Sequence, residues 1–152
     1  MPVNVTELLK RATSIQKITA GNTAGGTSTM SLNVVYSRNG KRLTISKKLA
    51  EALNLSDEAQ ISFVEEDGVV ILAKHISDNE DERIILKLKN EMDNIKGIAT
   101  GKKISYSADA AYGIVNAFNL DYTNCSSKSF TKIEIDRSSP DNPLAIITIK
   151  EV

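Results

Sequence analysis

The residues of this chain whose types and spacing could most readily do chemistry are lysines and arginines in one segment. Residues 31–50 contain no acidic side chain and five basic ones, Arg38, Lys41, Arg42, Lys47 and Lys48. Such side chains neutralise phosphates, and arginine also forks onto guanine edges. Residues 57–82 hold nine acidic residues against Lys74 alone, so the net charge of zero conceals a strongly basic segment. The segment predicts nucleic-acid contact; the alternative is a solvated basic surface that binds nothing.

No other set of residues has the composition of a catalytic or metal site. The chain has one histidine, His75, and one cysteine, Cys125, which excludes a Cys/His zinc cluster within it. The run 97–103 resembles a phosphate-binding loop, but it is one residue short and lacks the hydroxyl after the lysine. The carboxylates of residues 65–67 fall at the tip of a predicted hairpin, where solvation accounts for their charges. We therefore predict a non-enzymatic protein with no cofactor and no metal.

Length and composition indicate a chain that builds its own core. It has 152 residues, of which 41% are apolar, enough for a core without disulfides or a structural metal. Apolar runs such as Val69 to Ala73 are far shorter than the roughly 20 residues of a membrane helix. The first residues lack the basic-then-apolar order of a signal peptide. We expect a cytoplasmic protein with no membrane partner.

Two helices are expected outside the β-rich segments. The first covers residues 4–18, and a Gly/Thr/Ser-rich stretch up to residue 30 has the composition of a flexible connector. Its apolar positions at helical spacing are Val5, Leu8, Leu9, Ala12, Ile15 and Ile18. This helix is expected to pack on the body, to pair with another copy or to cross a surface, and it is the segment through which a protein partner would be bound.

The second expected helix is a linker over residues 77–97, which opens with acids. Its apolar face consists of Ile84, Ile85, Leu88, Met92 and Ile95. A strand over 83–89 is the competing interpretation, because Ile84, Leu86 and Leu88 also alternate. Helix is favoured.

Residues 31–76 predict a unit of hairpin, helix and hairpin. Two β-rich runs flank Asn39-Gly40, and the central residues of a type I′ turn need positive φ. Ser46 is the expected N-cap of a short helix, which Asn54 closes in the left-handed conformation. A second hairpin, with alternating apolar residues, turns at Asp67-Gly68.

Residues 98–152 repeat this plan as a second, diverged unit. The stretch from Gly40 to Ser46 aligns position by position with Gly101 to Ser107, and in each case a helix follows and closes on Asn-Leu. The second helix is longer by four residues, close to one turn, which keeps its buried face in phase. A strand from Phe130 to Ile135 and another from Leu144 to Ile149 complete the unit.

Residues 31–75 resemble the AbrB/SpoVT family of swapped-hairpin DNA-binding regulators of bacteria. In outline, that family reads Gly-Arg-apolar-x-apolar-Pro, a short helix ending in Leu-x-Leu/Ile, then Gly-Asp and a hydrophobic hairpin. Here the stretch from Asn39 runs Asn-Gly-Lys-Arg-Leu-Thr-Ile-Ser and the helix ends in Leu-Asn-Leu. Ser46 replaces the usual proline, and Glu58-Ala59 replaces Gly-Asp. Residues 98–152 resemble the family more weakly than residues 31–75 do.

The resemblance implies a mainly β fold in which two hairpin–helix–hairpin units form a pseudo-symmetric swapped-hairpin barrel. One chain supplies both units as an intrachain pseudo-dimer, and a further homodimer stays open. It also implies a transcriptional regulator that contacts duplex DNA through its first hairpin. The carried-over contact residues are Arg38, Lys41, Arg42, Lys47 and Lys48, with Lys102 and Lys103 from the second unit. The alternatives are a non-enzymatic protein-interaction or assembly module built on the same barrel and, ranked below it, an antitoxin.

Overall fold

The computed structural model describes residues 29–151; the predicted N-terminal helix, most of its connector and Val152 lie outside the described residues. The described chain forms ten strands and two α-helices. The helices are α1 (Lys47–Ala52) and α2 (Ala108–Ala117). The strands are β1 (Leu32–Ser37), β2 (Gly40–Ile45), β3 (Glu58–Val64), β4 (Val69–Ala73), β5 (Ile84–Lys87), β6 (Lys89–Met92), β7 (Ala99–Ser105), β8 (Ser127–Phe130), β9 (Ile133–Asp136) and β10 (Leu144–Thr148).

The strands form two antiparallel sheets. The first half of the chain, up to residue 87, and the second half, from residue 89, each contribute a hairpin to both sheets. Sheet 1 has the order β6-β7-β2-β1-β8, and sheet 2 has the order β5-β3-β4-β10-β9. The halves meet in the middle of each sheet, where β2 pairs with β7 and β4 pairs with β10. The prediction of a mainly β fold with short helices is confirmed.

The described strands form two sheets and no closed barrel, so the mainly β part of the predicted swapped-hairpin barrel is the part that is confirmed. The chain passes from sheet 2 to sheet 1 at Leu88, between β5 and β6, and back to sheet 2 at residues 131–132, between β8 and β9. At both places the chain joins two edge strands, one from each sheet.

Both helices begin and end as their sequences predict. Ser46 Oγ accepts a hydrogen bond from Leu49 N at 3.3 Å, and Ser107 Oγ accepts one from Ala110 N at 3.1 Å. These side chains satisfy backbone donors that the first turn leaves unpaired. Asn54, with φ 55°, follows α1 in the left-handed conformation that lets a helix close. Within residues 29–151, neither helix has the length and hydropathy to cross a membrane.

The first hairpin is present, but its turn differs from the prediction. Ser37 pairs with Gly40, so the two loop residues are Arg38 and Asn39. Neither Asn39 nor Gly40 has positive φ, which excludes the predicted type I′ turn centred on them. Gly40 is instead the first residue of β2, and a Cβ there would lie 3.4 Å from Nη1 of Arg42.

The predicted linker helix over 77–97 is wrong. A 3₁₀ turn over Glu80–Glu82 precedes β5 and β6, which add to the edges of sheet 2 and sheet 1. Leu86 and Leu88 are buried while Ile85 is exposed, a period of two that matches the competing strand interpretation. Backbone pairing of β5 with β3 and of β6 with β7 stabilises the two strands. This stabilisation outweighs the helical spacing of their apolar residues.

The predicted strand from Phe130 to Ile135 is two strands in different sheets. β8 pairs with β1 in sheet 1, and β9 pairs with β10 in sheet 2. The break at residues 131–132 turns the chain from one sheet to the other. A continuous β-rich run in the sequence does not reveal such a corner.

The two central strands of sheet 2, β4 and β10, are buried on both faces. The inner face of sheet 2 joins sheet 1 and both helices in the main core, to which it contributes Ala59, Ile61, Val70, Leu72, Leu86, Ala145 and Ile147. The outer face of sheet 2 carries a separate apolar cluster of Val64, Val69, Ile71, Ala73, Leu144 and Ile146, joined by Ile76. Burial on both faces explains why β4 and β10 are almost continuously apolar in sequence.

Gly68 is the most constrained glycine of the described chain. It has φ +69°, and a Cβ there would overlap the backbone carbonyl oxygen of Lys150, while Gly97, with φ +71°, has open space around it. We expect Gly68→Ala to lower the free energy of unfolding by about 3 kcal/mol or more, and Gly97→Ala by about 1 kcal/mol, the cost of left-handed backbone alone. Urea denaturation of the two variants measures the difference, and equal losses would contradict the packing at Gly68.

Candidate nucleic-acid interface

The seven predicted contact residues fall into two groups at opposite ends of sheet 1. Leu43 pairs with Ser105 and Ile45 with Lys103, so β2 and β7 run antiparallel and their hairpin turns point in opposite directions. By this register Arg42 and Lys102 are four residues apart along the strands, or about 13 Å. The first end holds Arg38, Lys41 and Arg42, and the second holds Lys47, Lys48, Lys102 and Lys103.

The first end combines cations with tyrosines. Arg38 is exposed in the turn, and Lys41 Nζ donates to Ser37 O at 3.3 Å and lies 5.4 Å from the centre of the Tyr36 ring. Tyr36 in turn contacts Tyr112 of α2, with ring centres 6.3 Å apart. Lys41 thus lies on the helix-covered side of sheet 1 but reaches solvent at the loop, as its position beside the turn predicts.

The second end is built where α1 packs against β7. The aliphatic carbons of Lys47 lie against Gly101, whose φ of +97° and missing side chain permit the approach. Lys103 Nζ donates to Asn90 Oδ1 at 2.7 Å, and the residue lines an open cleft of about 400 Å³ beside Glu51. Lys47, Lys48 and Lys102 are exposed, whereas Lys103 is half-buried. The hydrogen bond directs Lys103 toward the protein, so the other three lysines are the more available cations at this end.

The outer face of sheet 1, turned away from the helices, presents rows of polar and basic side chains. One row crosses all five strands in register as Ser129, Asn33, Thr44, Ile104 and Lys89. A second row holds Ser127, Val35 and Arg42. None of these eight side chains is fully buried and none is acidic. The face therefore offers hydroxyl, amide, ammonium and guanidinium donors, the groups that proteins use on DNA phosphates and base edges.

The acidic segment 78–82 is held on the other sheet. Ser62 Oγ donates to Glu82 O at 2.6 Å, and Ser77 Oγ donates to Glu82 Oε1 at 2.8 Å. Ser62 pairs with Ile71 in sheet 2 and shares its outer face. The acids are therefore kept away from the outer face of sheet 1, and within residues 29–151 none of the seven predicted cations forms an ion pair.

Sequence reasoning missed most of the polar row and all of the tyrosine contacts. Asn33 and Thr44 could have been found, because they alternate with the buried Leu32, Val34, Leu43 and Ile45. Lys89 could not, since its segment favoured a helix. Tyr112 and Tyr36 meet only through the packing of α2 on sheet 1.

The titratable residues considered for catalysis lie on the surface. His75 Nε2 is 3.6 Å from Asp78 Oδ1, a carboxylate partner that the sequence analysis did not recognise, but both side chains are at least half exposed. Cys125 is exposed in the loop before β8. Neither residue lies in the cleft beside α1. Both side chains therefore have the solvent-exposed environment of ordinary surface residues.

Comparison of this chain with protein-family models, with curated proteins and with solved structures finds no match. The candidate interface is therefore defined by its geometry and by the sequence resemblance of residues 31–75.

Tyr122 anchors the loop after α2 to sheet 1. Its hydroxyl donates to Val34 O at 2.8 Å, and burial, with a smaller contribution from the nearby Cys125, raises its pKa to about 12. A raised pKa in the folded state means that the stabilisation is complete below the unfolded value of about 10 and is lost as pH rises through about 12.

We expect Tyr122→Phe to lower the free energy of unfolding by about 1 kcal/mol at pH 8, because a partly buried hydrogen bond is lost. The difference in free energy of unfolding between the two proteins should shrink as pH rises above about 10. The reason is that the unaltered protein has the Tyr122 phenol to ionise, whereas the variant does not. Urea midpoints of both proteins at neutral and alkaline pH measure this. A difference that stays constant would show that the phenol is not stabilised in its neutral form.

Proposed function

We propose that this chain is a DNA-binding transcriptional regulator of the AbrB/SpoVT type. In this proposal its two halves act as the two members of a swapped-hairpin pair. Duplex DNA contacts the first hairpin and the adjoining outer face of sheet 1. The observation that carries the proposal is the acid-free set of donors on that face, next to Arg38 and with the acidic segment bound to the other sheet.

The pairing between the halves supports the pseudo-dimer. When Gly40 to Ser46 is aligned with Gly101 to Ser107, Leu43 corresponds to Ile104 and Thr44 to Ser105. Leu43 pairs with Ser105 and Thr44 with Ile104, so exchanging the halves turns one pair into the other. The contact between β2 and β7 therefore has the register of a two-fold relation, which isologous dimers use between chains. In sheet 2 the halves also meet as an antiparallel pair, β4 with β10.

The chemistry of the face fits duplex DNA. Arg42 and Arg38 provide guanidinium groups for phosphates or for the O6 and N7 atoms of guanine. Asn33 and Thr44 provide neutral donors of the kind that fix a protein on the sugar-phosphate backbone. Five strands about 4.8 Å apart make a face roughly 20 Å wide, which covers several phosphates of one groove.

A protein-interaction module is the second candidate, favoured by the hairpin of the second half. Where the first hairpin has Arg38 and Asn39, the β6–β7 hairpin exposes Met92, Ile95 and Ile98, and Ile95 is 95% exposed. Exposed aliphatic side chains at one tip are typical of a surface that another protein covers. In this role the body of two sheets would be retained without DNA contact.

Replacement of Arg38 and Arg42 by alanine tests the DNA proposal. We expect the double variant to lose retention of random duplex DNA at low salt, because two guanidinium contacts disappear from the face. The free energy of unfolding should stay within about 0.5 kcal/mol, as for surface changes. Fluorescence anisotropy of a labelled duplex measures binding, and urea denaturation measures stability.

The matched control removes two exposed cations elsewhere, Lys74→Ala with Arg137→Ala, at the ends of strands of sheet 2. It has the same change of net charge and should bind like the unaltered protein. If both double variants lose binding equally, the contact is a general charge effect and the assigned face is wrong. If the unaltered protein retains no duplex at low salt, the regulator proposal fails.

Salt separates the two candidate functions. Binding to DNA through about five cations should weaken with a log-log slope near −4, because condensed counterions are released. A protein partner held by the aliphatic tip should bind almost independently of salt. Titration of labelled duplex at several salt concentrations gives the slope, and a slope near zero would argue against phosphate contact.

A further inference from the structure

Three tyrosines and two lysines meet on the helix-covered side of sheet 1, beside the first hairpin turn. The ring centre of Tyr36 lies 6.3 Å from that of Tyr112 and 5.8 Å from that of Tyr122. Lys41 Nζ lies 5.4 Å from the centre of the Tyr36 ring, and Lys128 Nζ lies 5.5 Å from the centre of the Tyr122 ring. These five residues are the tyrosine cluster.

Strand register brings the members of the tyrosine cluster together. Tyr36 and Lys41 are opposite each other in the first hairpin, two residues along from the buried pair of Val34 and Leu43. Because alternate residues of a strand share a face, both side chains continue the inner face of sheet 1 past the end of the core. Lys128 of β8 is opposite Val34 and lies on the same side.

The rings of the cluster are fixed by packing yet remain open to solvent. Tyr112 is 53% exposed although its ring packs on Tyr36, and Tyr36 and Tyr122 are partly buried. The Tyr122 hydroxyl donates to Val34 O at 2.8 Å, which holds that ring in place. An exposed ring whose orientation is already fixed loses little freedom when a flat ligand stacks on it.

The charge around the rings is mainly positive. Arg38 is exposed in the adjoining turn, and with Lys41 and Lys128 it makes three cations. The acids closest in sequence to the rings are Asp109, in the first turn of α2, and Asp121, whose carboxylate is bound within its own loop. A ligand that combines flat rings with negative charge therefore fits this end of sheet 1.

We propose that the tyrosine cluster binds single-stranded nucleic acid, with an unpaired base stacked on Tyr112 and phosphates of the strand at Lys41 and Arg38. Aromatic side chains beside cations are the usual means of holding a single strand without reading its sequence. A paired base inside a duplex has no free face to offer, so the site selects single strands. The site goes beyond the duplex contact proposed above and does not rest on it, because the tyrosine cluster lies on the opposite side of sheet 1.

Two strands with the same phosphates test whether bases are bound. One is a labelled oligodeoxythymidylate of about ten nucleotides, and the other is an abasic strand of the same length. Fluorescence anisotropy of the full chain at low salt should give at least about 10-fold weaker binding of the abasic strand, because it cannot stack. Equal affinities would show contact with phosphates alone and overturn the proposal. An oligouridylate in parallel identifies which type of strand is preferred, and failure of both base-containing strands to bind also overturns it.

Substitutions at Tyr112 locate the stacking surface. Tyr112→Phe keeps the ring and should bind oligodeoxythymidylate within about two-fold of the unaltered protein, whereas Tyr112→Leu should lose on the order of 10-fold. Both variants keep an apolar side chain against Tyr36, and urea denaturation confirms that they fold. Tyr106→Leu is the matched control, because Tyr106 is 61% exposed and, within residues 29–151, takes part in none of the ring contacts. Equal losses in Tyr112→Leu and Tyr106→Leu, or equal binding by the Phe and Leu variants, would overturn the assignment.

Duplex binding separates this proposal from the proposed function. Tyr112→Leu should bind duplex DNA within about two-fold of the unaltered protein, since the ring is absent from the outer face of sheet 1. An unaltered protein that retains oligodeoxythymidylate but no duplex would remove the regulator proposal and leave the single-strand site. The reverse result would remove the single-strand site alone.

Discussion

The structure depends on antiparallel pairing between the two halves at the centre of both sheets. Without β7, the strand β2 would be a sheet edge with open backbone donors and acceptors, and without β10 the same would hold for β4. The main core draws on both halves, from Leu43 and Leu72 in the first to Ile114 and Ile147 in the second. A unit of about 45 residues buries too little apolar surface to stand alone, so each half completes the other.

The same pairing decides where the basic residues lie. Because β2 and β7 are antiparallel about their middle, residues that correspond in the two halves are carried to opposite ends of sheet 1. Lys102 and Lys103 therefore do not enlarge the cluster around Arg38. They meet Lys47 instead, since α1 of the first half packs on β7 of the second. Each hairpin is completed by the helix of the other half, and the chemistry at the two ends has diverged.

Sequence patterns predicted correctly those elements, such as helix caps, that depend on interactions between neighbouring residues. Ser46 and Ser107 cap helices because a hydroxyl near a first turn satisfies backbone donors wherever the helix packs. The segment over Ile84 to Leu88 fits both periods, and only the open edge of β3 decides for a strand, which no local pattern contains. The turn at Arg38-Asn39 was displaced by one residue for a related reason, because pairing of Ser37 with Gly40 fixes the register. Of the candidate interface, the sequence predicted the cations but not their separation into two ends.

The difference between the two sheets restricts where a large partner can bind. β4 and β10 carry apolar residues on both sides, and both sides are buried. Exposing Ile71 or Ile146 to water would cost about 2 kcal/mol for each side chain. Sheet 1 has one apolar face, and its other face alternates Asn33, Thr44 and Arg42 with the buried residues. A polyanion that approached sheet 2 would meet Glu82 and its acidic neighbours, whereas the two rows described on the outer face of sheet 1 hold Arg42, Lys89 and neutral side chains. The asymmetry in burial thus goes together with the asymmetry in charge, and it leaves the outer face of sheet 1 as the face on which the proposed DNA contact is placed.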